Sequence, residues 1–193
     1  MNNKQIRAAT PDDAQDLVRF FRWAAEGLPD LIWAEMAEPG QSNDDVGVER
    51  AKREQGNFSY RNAHVIEEDG VVLAGVVHYR LPSDPVPITP DFPSAFVPFQ
   101  DLENLAVGHW YINIIATKPD ARGKGHGATL LSYAEECAIA HDCPGLALIV
   151  SASNPGAVRL YVRSGYEEVA RRRLDIPGWP QSGTDAVLLM KPI

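Results

Sequence analysis

The first thirty residues carry a hydrophobic pattern that predicts a strand followed by an amphipathic helix. Residues 4–8 have the composition of a short first strand. Thr10, Pro11 and Asp13 then supply a capping hydroxyl, a proline at the first helical position and an acid three residues after the cap. The apolar residues that follow recur at helical spacing and predict one buried face, made of Ala14, Leu17, Val18, Phe21, Ala25 and Leu28.

The next segments predict a second, more polar helix over 43–55 and a β-hairpin. Two strand patterns, 58–66 and 71–79, flank an Asp-Gly turn, which favours antiparallel pairing. From Leu81 to Pro98 the chain then carries six prolines. They exclude a central strand or helix there and predict an extended loop insertion near 81–100.

The second half of the chain alternates strand and helix patterns. A strand over 110–116, a helix over 125–141 and a buried strand over 146–150 predict a parallel crossover. A capped helix over 154–165 and two final strands follow, at 166–171 and 186–191. The pattern as a whole predicts a mixed α/β fold, a central mixed sheet of about seven strands flanked by helices, within a single domain over residues 1–193.

Length and charge narrow the class of protein. A chain of 193 residues fits one domain, and its formal net charge of -8 argues against a nucleic-acid partner, because phosphate binding needs clustered Lys and Arg. There is neither a signal-type apolar run nor a stretch of about 18 apolar residues, so we expect no membrane partner and a cytoplasmic location.

Cysteine and histidine spacing indicates no metal centre. Cys137 and Cys143 lie six positions apart and match neither a redox pair nor a zinc-ligand set. The five histidines form no HExxH motif, and we therefore expect no metal.

The most informative segment is a glycine-rich turn between a strand and a helix. Gly123, Gly125 and Gly127 would let backbone N–H groups approach a ligand, and the helix N-terminus adds unpaired donors. Arg122 and Lys124 bring positive charge to the same place. Together these features predict an anion site.

We compared this turn with three known motifs. The alternative to all three is a tight turn that carries surface charge and binds no ligand. The phosphate-loop pattern GxxxxGK[ST] fails because Lys124 is followed by Gly125, and the dinucleotide pattern GxGxxG fails because the glycines run GxGxG. The pattern R-x-x-G-x-G fits, through Arg122, Gly125 and Gly127.

At this motif the chain resembles the GNAT superfamily of N-acetyltransferases, and the resemblance extends from the first helix to the final strand. It implies that the turn's amides bind the pyrophosphate of acetyl-coenzyme A and that the end of the preceding strand pairs with the pantetheine arm. The cofactor-binding residues so implied are Ile114, Ile115, Ala116, Thr117, Arg122, Gly123, Lys124, Gly125, His126, Gly127 and Ala128.

A downstream motif strengthens the resemblance. In Asn154-x-x-Ala157-x-x-Leu160-Tyr161, the family pattern implies that Asn154 and Ala157 lie along pantetheine and that Tyr161 stands near the thioester sulfur. Without the resemblance, Tyr161 would be a core tyrosine on the apolar face of a capped helix.

Acetyl transfer to an amine needs a polarised carbonyl, a base and a proton donor for the leaving sulfur. We expect a backbone N–H near Ile115 or Ala116 to support the carbonyl oxygen and Tyr161 to donate the proton. Glu103 is the preferred base, although it could equally be a solvated loop carboxylate. His109 and Tyr111 remain alternative candidates for the base.

An acidic stretch suggests the acceptor. Between Trp23 and Glu49 there is no Lys or Arg among seven acids: Glu26, Asp30, Glu35, Glu38, Asp44, Asp45 and Glu49. An acidic surface beside the acceptor site would attract a small cationic amine. The simpler explanation of these seven acids is a solvated surface with no role in binding. A non-catalytic acyl-coenzyme A sensor is the alternative function, and a homodimer is left open.

Overall fold

The computed structural model describes residues 4–193 and has a mixed α/β fold, as predicted. Seven strands and six α-helices are assigned within this range. The strands are β1 (Lys4–Ala8), β2 (Ala63–Glu68), β3 (Val71–Arg80), β4 (Trp110–Thr117), β5 (Gly145–Ser151), β6 (Glu167–Leu174) and β7 (Thr184–Pro192). The helices are α1 (Ala14–Ala24), α2 (Leu28–Met36), α3 (Asn43–Lys52), α4 (Val97–Glu103), α5 (His126–Ala140) and α6 (Pro155–Arg163).

The strands form one sheet in the order β1-β2-β3-β4-β5-β7-β6. Strands β4 and β5 pair in parallel, with Trp110 opposite Leu146, which confirms the crossover predicted from the strand, helix, strand pattern. The β1/β2, β2/β3, β5/β7 and β6/β7 pairs are antiparallel. The sheet is therefore mixed.

The backbone divides into two compact units. The first contains the residues up to His78 together with Ile114–Leu130. In it, α1 packs against α2 and α3, and Trp33 is fully buried. The ring of Phe20 lies against β3 at Gly75, where a Cβ would come within 2.6 Å of it. The start of α1 is held by Arg7, whose guanidinium donates to both Asp13 oxygens at 2.8 and 2.9 Å.

The second unit contains Tyr79–Asn113 and Leu131–Ile193. Its core is the strand group β5, β7 and β6, where Leu146, Leu148 and Leu188 are buried. Lys191 on β7 makes an ion pair with Glu135 on α5 at 2.7 Å. Two of the helices in this unit, α4 and α6, carry residues that the sequence singled out for chemistry.

Two predictions, one of a helix and one of an extended loop, need correction. The apolar face predicted from Ala14 to Leu28 is divided between two helices, because Gly27 adopts the left-handed conformation at φ 82° and α2 begins at Leu28. The proline-rich segment is not wholly extended, since α4 begins at Val97. Pro98 fits there because it occupies the first turn, where its missing N–H costs no hydrogen bond.

Candidate active site

In the first unit, the glycine-rich turn connects β4 to α5 with an open backbone. Gly123 and Gly125 have φ angles of 76° and 83°, a conformation that other residues rarely adopt. A Cβ at either position would meet no atom within 4 Å, so the space beside the turn is open to a ligand. The glycines therefore shape the turn and leave the space beside their Cα atoms open.

The start of α5 has the features of an anion site. The Thr129 N–H donates to the Gly125 carbonyl at 3.0 Å, as in the first turn of a helix. Amides preceding Thr129 have no acceptor within the helix, and the helix dipole is positive there. Arg122 and Lys124 are exposed, and the Arg122 Nε–H donates to the Thr117 carbonyl at 3.3 Å. This segment has the features of the anion site that the glycine-rich turn predicts, and its donors and charges suit the pyrophosphate that the resemblance implies.

Two basic residues of this unit behave differently from Arg122 and Lys124. Lys118 makes an ion pair with Asp16 at 2.9 Å, and its backbone N–H donates to the Leu73 carbonyl. The His126 side chain is only 3% exposed, and among residues 4–193 neither ring nitrogen has a hydrogen-bond partner. Burial, helped by the charge of Lys4, lowers the pKa of His126 and keeps the ring neutral. His126 can therefore serve an anion only through its backbone.

In the second unit, Glu103 is a largely buried carboxyl at the end of α4. Burial raises the pKa of Glu103 to about 7, while a hydrogen bond from the Tyr111 hydroxyl acts in the opposite direction. Desolvation wins because a carboxylate loses more hydration than one neutral donor replaces. The group can therefore change its protonation state near neutral pH, as a general base must.

Two tyrosines accompany Glu103. Burial, together with the charge of Glu103, raises the pKa of Tyr111 well above its usual value, and Tyr79 shifts in the same direction for the same reasons. The Tyr79 and Tyr111 rings meet edge to face with centroids 5.8 Å apart. Sequence reasoning missed Tyr79, whose only signal was its place at the end of an apolar strand.

Tyr161 lies in the same unit, on α6. It is buried, and desolvation raises the pKa of Tyr161 well above its usual value, so its hydroxyl stays protonated at neutral pH. The negative charge of an ionised Tyr161 would raise the pKa of Tyr111, which means the two hydroxyls are electrostatic neighbours. Tyr111 thus has a hydrogen bond to Glu103 and an electrostatic interaction with Tyr161, and these three residues are considered below as one group.

The start of α6 is built by Asn154. Its Oδ1 accepts the Ala157 N–H at 3.1 Å, which caps the helix and leaves the side-chain NH₂ as the donor group. Ala157 lies half-buried in the first turn. The predicted helix start is confirmed by this cap.

His109 is held by the backbone that precedes β4. Its Nδ1 lies 3.2 Å from the Ala106 carbonyl oxygen and 3.1 Å from that of Val107, so Nδ1 carries the proton and donates. Nε2 keeps its lone pair, and His109 therefore remains an alternative base.

The acidic stretch of the first unit is partly neutralised from within. Arg22, one residue before the stretch, makes ion pairs with Asp30 at 2.7 Å and with Asp44 at 2.5 Å. Asp45 accepts hydrogen bonds from the Ser42 backbone and hydroxyl at the start of α3. The exposed acids that remain for a cationic ligand include Glu35, Glu38 and Glu49.

Two further findings concern the described residues. Among residues 4–193, no three His, Cys, Asp or Glu side chains come together in a way that could hold a metal ion. Over the same range, no helix has the length and apolar character needed to cross a membrane.

Comparison with known proteins gives a consistent result. Residues 25–166 match the model of the acetyltransferase (GNAT) family. A solved acetyltransferase is similar over 98% of this chain and 99% of its own, with a TM-score of 0.66 and 22% identity. Ard1 from Thermoplasma volcanium covers 98% of this chain and 97% of its own, with a TM-score of 0.62 and 14% identity.

An N-acetyltransferase from Staphylococcus aureus Mu50 is similar over 96% of this chain and 99% of its own, with a TM-score of 0.62 and 16% identity. At such identities the likeness concerns the fold. No curated protein matches the sequence significantly.

Proposed function

The chain belongs to the GNAT acetyltransferase family, and from this premise we propose that it transfers an acetyl group from acetyl-coenzyme A to a primary amine of a small molecule. The observation that carries the proposal is the group of Glu103, Tyr111 and Tyr161 in the second unit. It combines a carboxyl that ionises near neutral pH with a buried hydroxyl that stays protonated. Direct attack by an amine needs this combination.

The donor would be held by the backbone of β4 and of the turn that follows. We assign its pyrophosphate to the amides of residues 122–128, supported by the open space at Gly123 and Gly125 and by the exposed Arg122. The pantetheine arm is assigned to Ile114, Ile115, Ala116 and Thr117 of β4, and also to Asn154 and Ala157. The donor supplies the acetyl thioester, and the backbone N–H of Ile115 or Ala116 would support its carbonyl oxygen.

Glu103 would take the proton from the acceptor. A primary amine is largely protonated at neutral pH and must lose a proton before it can attack a carbonyl carbon. The Glu103 carboxylate, with a pKa of about 7, is available as a base at neutral pH and above. The hydrogen bond from Tyr111 would orient the carboxylate and keep it from titrating at still higher pH.

Tyr161 would give a proton to the departing sulfur. The raised pKa of Tyr161 keeps its hydroxyl protonated over the whole working range, which is the state a donor requires. With Glu103 as acceptor and Tyr161 as donor, no covalent intermediate on the protein is required. Both groups return to their starting states through solvent.

The acceptor is proposed to be cationic on the basis of surface charge. Three acids of the first unit are exposed: Glu35, Glu38 and Glu49. Arg22 makes its ion pairs with Asp30 and Asp44 and does not neutralise these three carboxylates. Exposed carboxylates raise the local concentration of amines through long-range attraction. This part of the proposal predicts that rates fall as salt rises.

The test is thiol release from acetyl-coenzyme A over a panel of amines, amino acids and aminoglycosides. Acceptor-dependent release with a matching acetylated product supports the proposal. Binding of acetyl-coenzyme A without release for any acceptor would instead support an acyl-coenzyme A sensor. We further propose that residues 1–193 form one catalytic domain that acts in the cytoplasm.

A further inference from the structure

Strand β6 ends the sheet, and its outer edge pairs with no strand of residues 4–193. It is eight residues long, with most of its side chains at least partly exposed. An edge of this length offers a row of backbone donors and acceptors to another strand. Its side chains decide which strand would fit.

The charges on β6 are arranged in two opposite halves. Glu167 and Glu168 begin the strand, and Arg171, Arg172 and Arg173 end it, with Val169 and Ala170 between. When such a strand pairs antiparallel with a copy of itself, acidic residues lie opposite basic ones. A strand with a uniform charge would repel its copy.

A β-bulge lies between Glu168 and Ala170, where Val169 has no partner on β7, and it fixes which residues of β6 share a face. Glu168 pairs with Leu189 and Arg171 pairs with Val187, so both side chains lie on the face of β7 that carries Val187 and Leu189. Consistently, Arg171 donates to both Glu168 oxygens at 2.7 and 2.8 Å. Ala170 and Arg172 lie on the other face, where Arg172 reaches Asp101 on α4 at 2.6 Å.

One antiparallel register of two β6 strands places acidic residues opposite basic ones on both faces of the sheet. With Ala170 on the two-fold axis, Glu168 of one copy lies opposite Arg171 of the other on the first face. On the second face, Glu167 lies opposite Arg172. Alignment about Arg171 would put two arginines face to face, so the charge pattern selects Ala170.

Apolar side chains are exposed beside the open edge of the sheet. Val169 is 55% exposed at the bulge, and Val162 on α6 is 57% exposed. Val162 also lines a groove of about 400 Å³ between α6, β6 and β7, together with Val158 and Val187. A partner strand at this edge would remove part of this apolar surface from water.

We propose that two copies of this chain form a homodimer by antiparallel pairing of β6 with β6, with Ala170 on the two-fold axis. The occupant is a second copy because the charge pattern is self-complementary. In the dimer, each Glu168–Arg171 ion pair joins its symmetry mate in a four-charge cluster. Burial between two strands protects these charges from solvent better than the exposed edge does.

The experiment is sedimentation of the full-length chain over a wide concentration range, using two charge-reversed variants. The wild type should sediment at twice the 21.2 kDa chain mass at high concentration. Glu167→Arg with Glu168→Arg makes the edge wholly basic, and Arg171→Glu with Arg172→Glu makes most of it acidic. Each variant alone should be monomeric, with dissociation constants raised at least tenfold, and an equimolar mixture should form a heterodimer.

A matched control reverses an exposed charge away from β6. Glu136→Arg lies on α5 and should dimerise like the wild type. A monomeric wild type, a mixture that fails to associate, or a control that dissociates equally would overturn the proposal. If a reversed variant does not fold, hydrogen exchange on the wild type decides: amides of β6 must become protected as concentration rises.

Discussion

Tyr111 donates a hydrogen bond to Glu103, yet the pKa of that carboxyl lies at about 7 because burial outweighs the bond. The two residues therefore set one another's protonation. The charge on Glu103 raises the pKa of Tyr111, and the Tyr111 hydroxyl limits the rise in the pKa of Glu103. Changes at either residue should be visible in pH profiles.

The first prediction concerns Glu103→Gln. A base must be deprotonated, so kcat/KM of the wild type should rise with pH through about 7 and level off above it. Gln cannot accept the proton, so kcat/KM of the variant should no longer rise with pH through about 7 (the limb of the pH profile assigned to Glu103). Its rate should also be about 100-fold lower than that of the wild type. Steady-state rates against pH check this, and an intact limb in the variant would remove Glu103 from the mechanism.

The same substitution has a readout in stability that does not depend on activity. The pKa of Glu103 is about 7 in the folded state and about 4.5 in the unfolded state, so the folded state holds its proton more tightly. The free energy of unfolding therefore includes a favourable contribution from protonated Glu103 that is fully present below pH 4.5 and is lost as the pH rises through 7. Glu103→Gln should therefore be more stable than the wild type above pH 7, by about 1 to 3 kcal/mol. Denaturant unfolding at pH 5 and pH 8 measures the difference, which should be smaller at the lower pH.

Tyr111→Phe tests the hydrogen bond itself. Its removal should raise the pKa of Glu103 above 7, because the bond stabilises the carboxylate. The activity limb should move to higher pH, so that activity lost at pH 7 is recovered in more alkaline buffer. Tyr79→Phe is the matched control: it also removes a largely buried hydroxyl, but one that makes no such bond to Glu103. Equal shifts in both variants would contradict the assigned role of Tyr111.

The order of secondary-structure elements could largely be predicted from the sequence. Strand β4 is rich in β-branched residues, and the turn at Gly123 and Gly125 has local signals. The sequence does not predict helix α2, because two left-handed residues, Glu26 and Gly27, divide an apolar pattern that looks continuous. Local patterns therefore identify elements better than they identify the breaks between them.

The environment of the candidate site could not be predicted in the same way. The sequence leaves open whether Glu103 is a solvated loop carboxylate or a base. Its burial and its interactions with Tyr111 and Tyr79 arise from tertiary packing, which the sequence pattern does not contain. The acidic stretch looked free of basic residues, yet Arg22 folds back onto Asp30 and Asp44. Burial and pairing of this kind depend on contacts that sequence spacing does not contain.

Tyr161→Phe separates proton donation from donor binding. The variant should keep the ring packing against Tyr166, whose centroid lies 6.0 Å away, and lose only the hydroxyl. We expect kcat to fall by about 10- to 100-fold with little change in the dissociation constant of acetyl-coenzyme A. Tyr166→Phe is the control, since it removes a neighbouring buried hydroxyl with no assigned role. An unchanged kcat in Tyr161→Phe would show that the sulfur takes its proton from elsewhere.

Gly125→Ala tests whether the turn binds the donor. Gly125 and Gly40 both have positive φ angles, 83° and 88°, and at neither would a Cβ meet an atom within 4 Å. Alanine should therefore cost each site a similar stability, about 1 kcal/mol, through backbone strain alone. Only at Gly125 would the new methyl group stand where coenzyme A approaches the amides. Calorimetric titration with coenzyme A should show at least tenfold weaker binding to Gly125→Ala and unchanged binding to Gly40→Ala. Equal affinities in the two variants would mean that the anion lies elsewhere.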